Sequence, residues 1–185
     1  MGGTDSKAEY ATLVRDAATG DRDAMERLLI RAQEVAYRFS LLVCGHPEDA
    51  EDVMQDALLK TYEHVGRIDD PSAFRTWLYT TVRNACLMKR RRRIGEPTSF
   101  DPVDPVRVVD PAPSADERLI EQGMDRRLRA ALNRLPPAHR MVVVMREMDG
   151  LSTKDVAAVT GLSEANVKQR LHRARLALRR DLEQR

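Results

Sequence analysis

Five of the nine prolines in this chain fall between Gly95 and Ala115, at positions 97, 102, 105, 111 and 113. Proline fixes φ and removes a backbone donor, so neither helix nor sheet persists through that spacing. From Glu96 to Asp125 eight acidic residues face two basic ones, a net charge of −6. The chain therefore reads as two folded pieces, residues 1–94 and 116–185, joined by an extended acidic linker over 95–115. The linker serves either as a plain spacer or as a tether whose charge, having the sign of nucleic acid, suits a basic channel.

In the C-terminal piece, Leu119, Met124, Leu128, Ala131, Leu132 and Leu135 recur at helical spacing until Pro136 and Pro137 interrupt them. The run Met141 to Met145 has strand propensity, but a lone strand would have no partner, so helix is expected. Ser152 to Arg180 reads as a helix-turn-helix. Ser152 caps the first helix and Asp155 returns the hydrogen bond in a capping box, worth about 1 kcal/mol. Val156, Ala157 and Val159 supply an apolar face, Gly161 stops the helix, and Ser163 caps a second helix starting near Glu164. Val167, Leu171, Ala174 and Leu178 share one stripe of it.

The opposite side of this second helix carries Asn166, Gln169, His172 and Arg173, flanked by Lys168 and Arg170. Residues 164–185 hold seven Lys or Arg against three acids, a net of +4. Such a helix suits the major groove, where amide, imidazole and guanidinium groups read base edges and flanking cations meet phosphates. A basic amphipathic helix is also commonly no more than a solvated face, and the turn-plus-two-helix context is what favours DNA. Leu176 falls on the polar side, which implies either contact with a neighbouring domain or fraying before it.

The N-terminal piece reads as four helices: Lys7 to Ala18, Asp21 to Cys44, Pro47 to about Gly66, and one opened by Asp70 and Pro71 that runs into Lys89–Arg93. The third has a polar face of Glu48, Asp52, Gln55, Asp56 and Leu59. Its carboxylates are either favourable charges near a helix N-terminus or a docking face for a basic partner. Along the fourth, Phe74, Trp77, Leu78, Thr81, Val82, Ala85 and Met88 recur on one side. Trp77 reads first as a core anchor. Its neighbours Arg75, Tyr79, Arg83 and Asn84, with the cations Lys89, Arg90 and Arg91, form a helix end suited to a phosphate backbone and to stacking an exposed base.

With 185 residues, 32% charged and 4% aromatic, the expected class is all-α with an aliphatic core, two small helical domains in all. No apolar run of spanning length occurs and Met1–Tyr10 has no apolar signal core, so the expectation is a cytoplasmic protein without membrane insertion. Cys44 and Cys86 are far apart and need not be paired; a metal site from Cys44, His46 and Cys86 is disfavoured by the lack of a second close pair. The four His are scattered and no phosphate loop or nucleophile–base pairing occurs, so neither an enzyme nor a cofactor or metal is expected.

Taken together, these segments resemble the extracytoplasmic-function (ECF) sigma factors, the compact group of the sigma-70 family. DAEDVMQDALLKTY at 49–62 is similar to the segment that binds the clamp helices of the polymerase beta-prime subunit. FRTWLYTTVRNACLMKRRRR at 74–93 resembles the segment that melts and reads the −10 element. LPPAHRMVVVMREMDGLSTKDVAAVTGLSEANVKQRLHRARLAL at 135–178 resembles the −35-binding domain.

The resemblance implies a sigma-2-like bundle over 1–94, a sigma-4-like helix-turn-helix over 116–185, and promoter-directed initiation with core polymerase. Core-binding residues would be Asp52, Gln55 and Asp56. The −10 residues would be Arg75, Trp77, Tyr79, Arg83, Asn84, Lys89, Arg90 and Arg91, and the −35 residues Ser163, Asn166, Lys168, Gln169, His172 and Arg173. Implied partners are the polymerase core, through its beta-prime and beta subunits, promoter DNA and an anti-sigma factor. A single Trp77-Leu78 stands where primary sigma factors have adjacent tryptophans. The competing readings are a helix-turn-helix regulator acting without polymerase and a helical adaptor that never reaches DNA.

Overall fold

The computed structural model describes the backbone of residues 3–44, 47–94 and 126–183, and side chains over 7–44, 47–89 and 127–183. Every regular element among the described residues is helical. The linker, residues 116–125 and the side chains of Arg90 and Arg91 lie outside them.

Helix α1 (Gly3–Ala18) begins four residues before its apolar pattern and turns at Gly20 into α2 (Arg22–Cys44). Asp21 caps α2, its Oδ1 accepting from the amides of Asp23 at 2.9 Å and Ala24 at 3.0 Å. Helix α3 (Pro47–His64) has proline in its first position, where the missing amide costs nothing. A short 3-10 turn, Pro71–Ala73, capped by Asp70, then leads into α4 (Phe74–Ile94). Small residues at turn spacing on α2, Ala24, Ala32 and Ala36, are wholly buried and let the neighbouring helices approach closely. The ring of Phe39 meets Tyr79 edge-on at 4.8 Å.

The buried face of α4 is Phe74, Leu78, Val82 and Cys86, with Arg75 and Tyr79 beside it. The expected stripe through Trp77, Thr81, Ala85 and Met88 is thus rotated: those four side chains line a groove against α3 instead of filling the core. Trp77 keeps one edge on Phe74, ring centres 5.8 Å apart.

Cys44 and Cys86 are joined by a disulfide. A separation of 42 residues carries no geometry, so sequence alone does not require the pairing; the packing of α2 against α4 brings their Cα atoms to 5.0 Å. In the paired state neither sulfur is a free thiolate for the Cys44–His46–Cys86 metal option, of which His46 lies outside the described residues.

Beyond the linker come α5 (Arg126–Arg134), α6 (Pro137–Val143), a wide π-type turn over Val144–Met148, α7 (Thr153–Thr160) and α8 (Glu164–Glu183). The run Met141–Met145 is helical and buried, as the absence of a partner strand implied. The capping box of Ser152 and Asp155 forms, and Gly161 ends α7 at φ 74°, a left-handed conformation that glycine reaches without strain. Ser163 caps α8, accepting from Asn166 N at 3.2 Å.

Arg140 is 1% exposed and has no carboxylate partner among its described contacts. Its guanidinium donates to the carbonyls of Leu132 (2.9 Å), Asn133 (2.7 Å) and Leu135 (3.1 Å), which closes the end of α5, and to Leu42 of α2 at 3.3 Å. Burial lowers its pKa to about 10, so it stays charged at neutral pH and the carbonyl dipoles solvate that charge. Replacing Arg140 with Met keeps the stem and strands these carbonyls. We expect a loss of about 3 kcal/mol in chemical denaturation; a loss below about 1 kcal/mol would show that water takes over the carbonyls.

Candidate nucleic-acid interface

Helix α8 buries Val167, Leu171 and Ala174 on its inner side and leaves Ser163, Asn166, Lys168, Gln169, His172 and Arg173 exposed. All six residues assigned to −35 contact are thus exposed, Ser163 at the cap of α8 and the other five along its first three turns. Leu176 is 43% exposed while α8 continues to Glu183, so the helix does not fray there. At the edge of this face burial lowers the pKa of His139, with Arg170 and Arg173 adding to the shift, so the imidazole is neutral at pH 7.

The carboxylates of α3 present a second face. Asp52, Gln55 and Asp56 are exposed, with Leu59 56% and Tyr62 62% exposed beside them. Across the antiparallel α3–α4 pair runs a groove of about 420 Å³, lined by Asp56, Lys60 and His64 on one wall and Trp77, Asn84 and Lys89 among those on the other. Lys89 Nζ lies 2.6 Å from Asp52 Oδ2 and 3.8 Å from Asp49 Oδ1. The groove therefore gathers residues assigned by sequence to two different partners, Asp56 with Trp77, Asn84 and Lys89, and Lys89 carries the link on to Asp52 outside it.

Arg75, Tyr79 and Arg83 of the −10 set lie elsewhere. Arg75 is 8% and Tyr79 1% exposed, both covered by the segment from Asp149 to Thr160. The Asp149 carboxylate pairs with Arg38 of α2, and its carbonyl accepts from Arg75 of α4. Thr76 Oγ1 donates to Asp155 at 3.3 Å, and Arg83 Nη2 to the Thr160 carbonyl at 3.4 Å. Gly150, at φ 65°, turns the chain just after Asp149 so that its carboxylate and carbonyl both face the first helical region. Burial, followed by the Asp149 charge, pushes the Tyr79 phenol well above its usual range. Arg75, Tyr79 and Arg83 are thus turned toward the second region in this arrangement, while Asn84 remains exposed.

Asp149 and Arg38 were not singled out by sequence. The Asp149-Gly150 dipeptide signals a turn but says nothing about what the turn meets, and Arg38 looks like any polar residue on an amphipathic helix.

Removing the charge of Asp149 as Asn should loosen this junction. Breaking a fully buried pair costs about 3–5 kcal/mol. Arg38 keeps partial access to water, so about 1–3 kcal/mol is expected here. Small-angle scattering should report a larger radius with unchanged helical circular dichroism; an unchanged radius would mean that apolar packing alone holds the regions together.

Two family profiles match the chain in order: Sigma-70 region 2 over residues 24–94 and Sigma-70, region 4 over residues 125–178. The chain is 34% identical to the ECF RNA polymerase sigma factor SigM of Mycobacterium tuberculosis, over 97% of this chain and 87% of that one. It is 31% identical to ECF RNA polymerase sigma factor SigL of the same species, over 92% and 96% respectively. Among solved structures, CnrH in complex with the cytosolic domain of CnrY matches with a TM-score of 0.61 at 27% identity, covering 95% of this chain and 97% of that one. The sigma factor RpoE of Bartonella quintana, solved with the anti-sigma factor NepR, shares the fold at a TM-score of 0.61. An exposed basic helix-turn-helix following a four-helix bundle, and matches that run almost end to end, converge: the chain belongs to the sigma-70 family, as an ECF RNA polymerase sigma factor.

Proposed function

We propose that this sigma factor docks on core polymerase through Asp52, Gln55 and Asp56 of α3, reads the −35 element with α8, and captures unpaired −10 bases along α4. The single observation that carries the reading is the exposed face of α8, with Asn166, Gln169, His172 and Arg173 opposite the buried Val167, Leu171 and Ala174, Lys168 exposed on its flank and Ser163 at its cap. Amide, imidazole and guanidinium groups on successive turns match the donor and acceptor code of the major groove. In this reading residues 1–94 form the core-binding and −10 unit, 95–115 the tether and 116–185 the −35 unit.

The protein performs no chemistry. It holds the polymerase at a duplex site and traps the opened strand. Opening costs a mean of about 1.4 kcal/mol per stacked step, offset by capturing unpaired bases. Trp77 on the groove wall supplies a stacking surface there, and Asn84 supplies amide groups for a base edge. Arg90 and Arg91, with Lys89, meet phosphates.

Arg75, Tyr79 and Arg83 face DNA only after the Asp149–Thr160 segment leaves α4, so docking on polymerase must separate the two helical regions. Among the described residues no helix is long and apolar enough to cross a membrane. The compartment of action is the cytoplasm, where polymerase works. An anti-sigma partner follows from the likeness to CnrH and RpoE, each solved with a bound protein.

Run-off transcription with sigma-free core on a library of promoter fragments tests the whole reading. Discrete starts sharing upstream motifs are expected, and Asp56→Lys should abolish them through lost core binding with the fold retained. Transcripts from Asp56→Lys at the native level would remove α3 from docking. Arg173→Ala should weaken binding to a −35 duplex and, through loss of one phosphate contact, reduce the salt slope by about 0.9. An unaltered slope and affinity would assign a different face to DNA.

A further inference from the structure

The bond between Cys44 and Cys86 sits at a point where three elements meet. Cys44 is the last residue of α2, Pro47 is the first of α3, and Cys86 lies on the buried side of α4. One turn beyond Cys86 on α4 is Lys89, which pairs with Asp49 and Asp52 in the first two turns of α3. Cys44 Sγ itself lies 4.0 Å from the carbonyl of Asp49. The tether and the ion pair thus act on the same end of the α3–α4 groove, where a docking carboxylate is held by a cation assigned to DNA.

Proteins that work where thiols are kept reduced rarely carry structural disulfides, and those they do carry are mostly redox-sensing. Resting on the polymerase-docking reading above, we propose that Cys44–Cys86 is a reversible redox-modification site whose oxidised form locks the start of α3 under Lys89 and so weakens docking on the polymerase. The ligand class is a small dithiol or its disulfide. Cys86 is 2% exposed and Cys44 half-buried, so the sulfur of Cys44 is the one open to attack. A reductant thiolate attacks Cys44 Sγ, the Cys44–Cys86 bond breaks, and its electron pair leaves on Cys86 Sγ, which takes a proton from water. The reductant's second thiolate then attacks its own sulfur in the mixed disulfide and releases Cys44 as a thiolate, which is protonated in turn. Two electrons pass from the dithiol to the protein, and the dithiol becomes a disulfide. The buried Cys86 thiol so formed lies 4.0 Å from the carbonyl of Ser40, an acceptor for its weak S–H donor.

After reduction the helices remain packed through Phe39, Val53, Ala57, Tyr79 and Val82, each no more than 1% exposed. What is lost is the tether. The Lys89–Asp52 pair, with Asp52 65% exposed at its side chain, is open to water and holds only weakly alone. The first turns of α3 then open more often and Asp52 is freed for a partner.

Hydrogen exchange on the full-length protein, oxidised and after treatment with dithiothreitol, tests the lock without polymerase. Amides over residues 48–54 should exchange about three- to tenfold faster in the reduced form, with helical circular dichroism retained. Equal exchange overturns the lock, as does a protein whose thiols appear only on unfolding. The affinity for core polymerase should be about two- to fivefold weaker for the oxidised form. The double variant Cys44→Ser, Cys86→Ser should match the reduced protein under either condition. Unequal exchange with equal affinity overturns the link to docking. Failure of both forms to bind core would count against the docking reading, and the exchange result would still decide the lock.

Discussion

Asp149 holds the two halves of this molecule in one arrangement. Its carboxylate and its carbonyl are both spent on arginines of the first helical region, Arg38 from α2 and Arg75 from α4. A carboxylate this deeply placed must be met by cations, since desolvation without a partner would cost several kcal/mol. Around it the apolar surfaces of the two regions run together into a single buried cluster, from Val14 and Phe39 to Val156 and Val167. Arg140 repeats the device from the other direction, sending one donor across to Leu42 while closing the end of its own α5.

This junction decides which of the surfaces is available. The face of α8 around Asn166, Gln169, His172 and Arg173 is exposed, whereas Arg75, Thr76, Tyr79 and Arg83 of α4 are engaged at the seam. Polar contacts at the seam are short in reach and few, and several of them use backbone carbonyls, which accept equally well from water once exposed. An interface built this way exchanges readily for another of similar polarity. Asp155 shows how economically the seam is made. It completes the capping box of α7 and also accepts from Thr76 of α4. Burial pushes its pKa up, but Ser152, Lys7 and Thr76 outweigh that and hold it below the ordinary value. Its stabilising effect is complete above the usual carboxylate range and is lost as pH falls through the lowered value.

The groove between α3 and α4 raises a different point. Asp52 and Lys89 neutralise each other in the free protein, although the residues around each suit a basic and an acidic partner respectively. An exposed ion pair of this kind contributes little to stability and is cheap to break.

Much of the local architecture was legible in the residues themselves. Ser152, Asp155, Gly161 and Ser163 fix the helix-turn-helix through capping hydrogen bonds and one left-handed turn, all of them interactions within a few residues. The stripe Val167, Leu171 and Ala174 is equally local, because helical periodicity alone puts these side chains on one face. The exposed side with Asn166, Gln169, His172 and Arg173 follows as its complement. The tertiary structure decided what periodicity leaves open: which way α4 is rotated, that Arg75 and Tyr79 are covered while Trp77 lines a groove, and that Cys44 meets Cys86. Each depends on contacts between residues tens of positions apart, set by how whole helices pack, and no spacing along the chain encodes that.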